Sequence, residues 1–136
     1  MRLLPRLLCA LCLALLCGLA PAATATPTAT VEKLHATLLS LMKEADSLRY
    51  QGRFERVAPV LDQTFNFETI GRVVTGRYWK GLAADKRSSF LDTFRKLSAA
   101  TYAENFDGYG GEAFKTLGEE IKKGAALVRT QIVKSD

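Results

Sequence analysis

Histidine and cysteine, the side chains most used for nucleophilic catalysis and zinc binding, are scarce in this sequence. The single histidine is His35, and the three cysteines are Cys9, Cys12 and Cys17, all near the N-terminus. One histidine with no cysteine beside it lacks the ligand set of a usual zinc site. A serine triad would need His35 together with a Gly-x-Ser-x-Gly segment, which the sequence does not contain. We therefore expect neither a metal site nor a serine hydrolase.

Two other groupings could do chemistry, but both favour a structural role. Residues 108–111, Gly-Tyr-Gly-Gly, lack the Lys-Ser/Thr of a P-loop and are predicted to form a hinge between helices and sheet. Glu119 and Glu120 are adjacent, so in a strand their carboxylates point to opposite faces and make a poor acid–base pair. The sequence therefore predicts a protein that is not an enzyme and has no cofactor, with a carboxylate-only hydrolase as the open enzymatic alternative.

Length, composition and charge place the chain among single folded domains. It has 136 residues, of which 48% are hydrophobic and 24% are charged, which is typical of a folding chain and too short for a multidomain enzyme. Its formal net charge is +5, and the basic residues are interleaved with acidic ones along the chain. This distribution argues against a nucleic-acid partner.

The N-terminal residues 1–22 have the layout of an export signal. Arg2 and Arg6 precede an apolar run over residues 7–19, and residues 20–22, Ala-Pro-Ala, offer the small side chains that a signal peptidase recognises. We expect a cleavable signal peptide over residues 1–22 and a flexible lead-in over residues 23–30. Because the apolar run is short for a bilayer-spanning helix, an uncleaved anchor is the less favoured alternative. Cleavage would remove all three cysteines, so the mature chain would form no disulfide.

Hydrophobic periodicity predicts four helices followed by two strands. The predicted elements are helices over residues 31–51, 54–64, 67–75 and 84–105, and strands over residues 114–117 and 125–134. Thr30 and Asn66 are the predicted N-caps of the first and third helices, and Gly52 and Gly76 are expected to end them. Pro59 is expected to kink or split the second helix.

The expected fold class is α+β, with about four helices packed on a twisted antiparallel sheet in one domain over residues 31–136. Two strands alone leave an unpaired sheet edge and an incompletely covered apolar face. We therefore expect the sequence to be truncated after its second strand, with further strands following Asp136.

Aromatic side chains occur in every predicted element, and two arrangements would account for them. They fill a solid core, or they surround an apolar cavity between the helices and the sheet, as in many ligand pockets. A dry cavity would bind an acyl chain without any catalytic residue, because each buried CH₂ group contributes about 0.8 kcal/mol. Composition alone leaves both arrangements open.

Five segments, in this order and spacing, resemble the MlaC family, the toluene-tolerance family of periplasmic lipid carriers. They are VAPVL at residues 57–61, FNFETI at 65–70, GRYW at 76–79, FLDTF at 90–94 and TYA at 101–103. The stretch YAENFDGYGGE at 102–112 and LHA at 34–36 are closer to the hopanoid-biosynthesis-associated branch, HpnM. The likeness covers residues 31–134, and it departs from the commoner pattern at Asn66, where the family often has an aspartate.

The resemblance implies a periplasmic protein that carries lipid for an ABC-type transport system. Its cavity would take the tails of a phospholipid or a hopanoid-type lipid, which it would move between an inner-membrane ABC-type transporter complex and an outer-membrane complex. The candidate cavity-lining side chains, whose faces should converge between helices and sheet, are Leu38, Met42, Ile70, Val74, Tyr78, Trp79, Phe90, Phe94, Val128 and Ile132.

Two further points follow from this likeness. Arg72 and Arg77 are candidates for docking charges or phosphate contacts, with solvated surface as the simpler interpretation. A filled core on the same fold would instead make the protein a periplasmic interaction or scaffold module without a ligand.

Overall fold

The computed structural model describes residues 25–134, so the predicted signal peptide lies outside the described residues. Four α-helices precede a two-stranded antiparallel sheet, which confirms the α+β class. The elements are α1 (Pro27–Lys43), α2 (Ala45–Thr64), α3 (Phe67–Thr75), a 3-10 helix (Gly76–Gly81), α4 (Ala84–Asn105), β1 (Ala113–Lys122) and β2 (Ala125–Val133).

Helix α1 begins earlier than predicted because Thr26, and not Thr30, is its N-cap. The Thr26 hydroxyl oxygen accepts a hydrogen bond from the backbone N–H of Ala29 at 3.1 Å. Pro27 occupies the first helical position, where a missing N–H costs nothing and a fixed φ suits the helix. Residues 27–30, which the sequence assigns to a flexible lead-in, are therefore helical.

The prediction of a first helix over residues 31–51 is wrong. Helix α1 ends at Lys43, and α2 runs on through Gly52 and Pro59, neither of which ends it. The residue of α2 with non-helical dihedrals is Arg49, with φ +53° and ψ −178°. Residues with a side chain adopt such a positive φ rarely, so this bend is held by its surroundings and not by local preference.

The segment from α3 to α4 follows the prediction closely. The Asn66 side chain caps α3 by accepting a hydrogen bond from the Thr69 N–H at 3.0 Å, and Gly76, with φ +56°, ends it. The residues between the third and fourth predicted helices form the 3-10 helix, and α4 has the predicted bounds. The caps at Asn66 and Gly76 explain the agreement at α3, whereas the N-cap of α4, Ala83, makes no side-chain cap bond.

Strands β1 and β2 form a hairpin that is longer than predicted. Its turn residues, Lys123 and Gly124, both have positive φ, at +50° and +78°, as a tight type I′ turn requires. β1 extends to Lys122, five residues beyond the predicted end of the first strand at residue 117. A bulge between Thr116 and Gly118 shifts the register, and Gly118 at φ +148° supplies a conformation that suits glycine.

The hydrophobic core lies where α1, α2 and α4 pack together. Leu41, Val57 and Leu61 are its largest fully buried side chains. On α4, the buried Ala99 and Ala103 have small side chains, so the α4 backbone lies close to its neighbours. Within residues 25–134, no helix is both long and apolar enough to cross a bilayer.

Arg53 is the one charged side chain that is buried in the described part of the chain. Its Nε donates to the carbonyl oxygen of Ala103 at 2.8 Å, and its Nη1 donates to that of Ala45 at 3.2 Å. Ala103 lies in the last turn of α4, where carbonyl groups lack partners within the helix and the helix dipole favours a cation. Arg53 therefore ties the end of α4 to the start of α2 across the bend at Arg49.

Replacing Arg53 by alanine is expected to lower the free energy of unfolding by about 3 kcal/mol, because two carbonyl oxygens lose a buried donor. Arg53→Lys is expected to lose about 2 kcal/mol, since an ammonium group does not reproduce the planar fork of donors. Urea denaturation followed by circular dichroism gives both values.

Arg56→Ala is the matched control on the same helix. Arg56 is exposed and pairs with Glu44 at 2.8 Å, so its removal is expected to cost less than about 1 kcal/mol. Equal losses at Arg53 and Arg56 would contradict the anchoring role of Arg53.

Candidate functional site

A cleft of about 430 Å³ lies between α1, the C-terminal end of α4 and the sheet; we call it the helix–sheet cleft. Its volume falls in the range of roughly 300–1,000 Å³ that is usual for small-molecule pockets. Its apolar lining consists of Leu34, Leu38, Phe106, Phe114 and Ile132. Its polar lining consists of His35, Thr101, Tyr102, Asn105 and Thr130.

Regular periodicity brings the apolar lining together. Leu34 and Leu38 are one turn apart on α1 and so share a face of the helix. Phe114 on β1 pairs directly with Ile132 on β2 in the antiparallel register, which puts both side chains on the sheet face that covers α1. The Thr116–Thr130 pair follows on the same face. A sheet of only two strands does not cover all of this side of α1, and the cleft is the space that remains between them.

A ring stack joins α1 to β1 at the edge of the cleft. The imidazole of His35 lies parallel to the ring of Phe114, with centroids 4.7 Å apart and planes 21° apart. Burial lowers the pKa of His35 below its ordinary value of 6.5, and the nearby Glu32 carboxylate offsets this only in part. His35 is therefore neutral at pH 7 and acts as a flat, mostly apolar ring.

Hydrogen bonds extend the same junction from the stack toward the N-terminus of α1 and the hairpin turn. The N–H and hydroxyl of Thr28 both donate to Oε2 of Glu119, at 3.1 and 2.6 Å. The Thr116 hydroxyl donates to Oε1 of Glu32 at 3.0 Å. Glu120 lies on the opposite sheet face from Glu119, as the sequence predicts. With the stack, these bonds form the α1–β1 seam.

An unbroken series of nine rings runs from the 3-10 helix to the seam. Consecutive ring centroids are between 4.7 and 6.4 Å apart, which is the range of favourable aromatic pairs. In order, the rings belong to Trp79, Phe90, Phe94, Phe67, Phe65, Tyr102, Phe106, Phe114 and His35. The last four border the cleft, so its wall is continuous with the helical core.

The structure brings two of the predicted cavity residues into this cleft, Leu38 from α1 and Ile132 from β2. Met42 is buried one turn beyond Leu38 on α1, and Val128 is half-buried on the same sheet face as Ile132. Met42 and Val128 are not among the residues that line the cleft. The role of all four residues in lipid binding stays a prediction.

The other six predicted residues lie toward α3 and the 3-10 helix. Phe90, Phe94 and Trp79 belong to the ring series, and Ile70 is half-buried. Val74 and Tyr78 are exposed and do not line the helix–sheet cleft. Trp79 lines a separate groove together with Arg72.

Sequence reasoning missed most of the cleft lining, notably Leu34, Tyr102, Phe106 and Phe114. The spacing of Leu34 and Leu38 places both on one helix face, but only Leu38 is among the predicted cavity residues. Phe114 could also have been named as a lining residue, because it is the first residue of the first predicted strand. Whether the aromatic residues of α4 line the cleft depends on how that helix packs against the sheet. No local sequence pattern encodes this packing.

The chemistry available in the cleft is the binding of an apolar molecule. Burial raises the pKa of Tyr102 above its ordinary value, so its hydroxyl stays neutral, as do His35 and the other polar groups of the lining. In residues 25–134, no three His, Cys, Asp or Glu side chains are grouped so as to hold a metal ion. A lining of five apolar and five uncharged polar side chains favours hydrocarbon over a charged ligand.

A comparison with protein-family models finds a match over most of the chain. The family model described as MlaC protein matches residues 32–136, which include every residue that lines the cleft. No curated protein and no solved structure matches the chain. The closer likeness to the HpnM branch is not tested by this match and stays a prediction.

Stability is expected to fall as the pH drops below 6.5, because the folded seam disfavours the protonated form of His35. With the pKa lowered on folding, the unfolded chain binds the proton more tightly, so the stabilisation is complete above 6.5 and is lost toward the lower folded-state pKa. Urea denaturation across this pH range measures the slope.

The variant His35→Phe keeps a ring against Phe114 but does not titrate, so its unfolding free energy is expected to be flatter over the same range. Hydrogen bonds lower the pKa of Glu44 and Glu112 below 4.5, so these two groups stay ionised throughout it. An identical slope in the variant and the unsubstituted protein would show that His35 is not the titrating group.

Proposed function

The chain belongs to the MlaC family of periplasmic phospholipid-binding transport proteins, and on this premise we propose that it carries lipid with the acyl tails in the helix–sheet cleft. The family is not one of enzymes. The observation that carries the proposal is the uncharged lining, half of it apolar side chains, where α1, α4 and the sheet meet. Hydrocarbon transferred into such a space gains about 0.8 kcal/mol per buried CH₂ group.

The cleft has features that suit a ligand held by its tails alone. Leu34, Leu38 and Ile132 offer aliphatic contact, and Phe106 and Phe114 offer flat ring surfaces. The polar groups of the lining are neutral, so a tail displaces no bound counter-charge. Binding by tails leaves the headgroup in water, which is consistent with a carrier that must release its cargo.

The route by which lipid is carried is inferred from family membership and not from the cleft. We propose that the protein is exported through the predicted signal peptide and moves lipid between an inner-membrane ABC-type transporter complex and an outer-membrane complex. The cargo is a glycerophospholipid or a hopanoid-type lipid. Family membership supports this route.

A ligand-free scaffold module is the second candidate, and the ring series favours it. The rings from Trp79 to Tyr102 pack without interruption through the helical part, so that part is solid and not hollow. A carrier needs the cleft itself to hold the ligand. Native mass spectrometry of the full-length protein from the periplasm distinguishes the two, because only a carrier shows bound masses of lipid size.

Ile132→Glu is expected to reduce the co-purifying lipid about tenfold, because it removes aliphatic contact and puts a charge against the tails. Ile132 lines the cleft and is 50% exposed, so the folded protein should tolerate the change. It is a better probe than Phe94, whose ring packs in the core at 5.5 Å from that of Phe67. Lipid extraction followed by mass spectrometry measures the ratio of lipid to protein.

Leu127→Glu is the matched control for this experiment. Leu127 lies on the same strand, is also 50% exposed, and points to the opposite sheet face by the alternation of the strand. Its variant is expected to keep its lipid. Equal lipid content in both variants would contradict binding in the cleft, and no lipid in the unsubstituted protein would favour the scaffold.

A further inference from the structure

The turn from α3 into the 3-10 helix exposes three large apolar side chains. Val73 is 76% exposed, Val74 is 67% exposed and Tyr78 is 66% exposed. Single exposed apolar residues are common on proteins, but these lie within six consecutive positions of the chain. We call residues 72–80, with Arg87 from α4, the basic corner.

Residues 72–80 of the basic corner lie within the longest acid-free stretch of the described chain, residues 69–84. The sequence has no aspartate or glutamate between Glu68 and Asp85. The cations of the corner are Arg72, Arg77, Lys80 and Arg87. Among residues 25–134, none of these four forms an ion pair, whereas Arg56, Arg95 and Arg129 each pair with a carboxylate. The four cations of the corner are therefore not ion-paired within the described residues.

Local contacts hold two of these guanidinium groups in place. Arg87 lies over the ring of Trp79, 5.6 Å from its centre, and donates from Nη2 to the Lys80 carbonyl oxygen at 3.2 Å. Its Nε has no hydrogen-bond partner among the described residues. Arg77 lies 5.0 Å from the centre of the Tyr78 ring and donates to its hydroxyl at 2.9 Å. The cations are thus fixed beside apolar surface.

A groove of about 580 Å³ separates the cations from one another. Arg72 and Val73 on α3 form one wall, Lys80 and Arg87 form the other, and the buried Trp79 lies between them. Glu68 is the one acidic side chain in its lining. A groove with three cations and an apolar base accommodates an anionic headgroup together with part of its hydrocarbon.

We propose that the basic corner docks on the surface of an anionic phospholipid bilayer. Interleaved cations and apolar side chains are the pattern of a surface that lies at the boundary between headgroups and acyl chains. Each cation near such a surface strengthens binding about fivefold at moderate salt. Val73 and Val74 enter the acyl boundary, and the Tyr78 ring lies at the headgroup level, where tyrosine is favoured.

An acidic protein is the competing occupant, and the exposed residues favour the bilayer. Protein hot spots are enriched in tryptophan and poor in valine. Here the tryptophan, Trp79, is turned inward and only 9% exposed, while two valines project. Docking involves no residue of the helix–sheet cleft, so this inference stands whether or not the cleft holds lipid.

Vesicle flotation of the full-length protein tests the proposal. Vesicles of phosphatidylglycerol and phosphatidylcholine in equal parts are compared with vesicles of phosphatidylcholine alone. The double variant Arg72→Gln/Lys80→Gln is expected to bind the mixed vesicles roughly thirtyfold more weakly. Val73→Ser/Val74→Ser is expected to bind about tenfold more weakly, because the apolar contact is lost.

Lys96→Gln/Lys115→Gln is the matched control, since it removes the same net charge at exposed positions outside the corner. It is expected to bind like the unsubstituted protein. Equal binding to neutral vesicles, equal loss in the control, or no flotation with the mixed vesicles would each overturn the proposal, and the last result would leave the corner to an acidic protein. Lipid co-purification by the corner variants is measured in parallel, and it is expected to be unchanged.

Discussion

The α1–β1 seam is the interaction on which the candidate site depends. A two-stranded hairpin is barely stable in water by itself, so β1 and β2 need a helix to pack against. The stack of His35 on Phe114, at 4.7 Å, supplies the apolar contact. The bonds from Thr28 to Glu119 and from Thr116 to Glu32 fix the position of the hairpin along α1. Without this seam the cleft would lose one of its walls.

The fold was predictable where local signals act alone and unpredictable where distant groups decide. Asn66 and Gly76 bracket α3 with unambiguous caps, so its bounds follow from the sequence. The bend at Arg49 has no such signal, because a residue with a side chain takes a positive φ there. It is bridged by Arg53, whose partners on α2 and α4 are far apart in sequence. Gly52, a plausible helix end by type, therefore lies inside α2.

The cleft was foreseeable in part, for related reasons. Helix and strand periodicities each define a face, which is enough to nominate Leu38 and Ile132. The partner of Ile132 across the hairpin is Phe114, and that register depends on a turn and a bulge that periodicity does not locate. Leu38 lies in the core and lines the cleft at once, whereas Ile132 serves the cleft without being buried. A substitution of Ile132 can thus change the ligand contact without disturbing the core. A substitution of Leu38 would change both.

The position of Trp79 has a consequence for optical experiments on this protein. It is the only tryptophan of the chain, and it lies at the far end of the ring series from the seam, beneath the Arg87 guanidinium. Its emission therefore reports on the packing of α3, the 3-10 helix and α4, with no second indole to confuse the signal. Spectral changes on unfolding or on contact with another surface are assignable to one place in the molecule without any added dye.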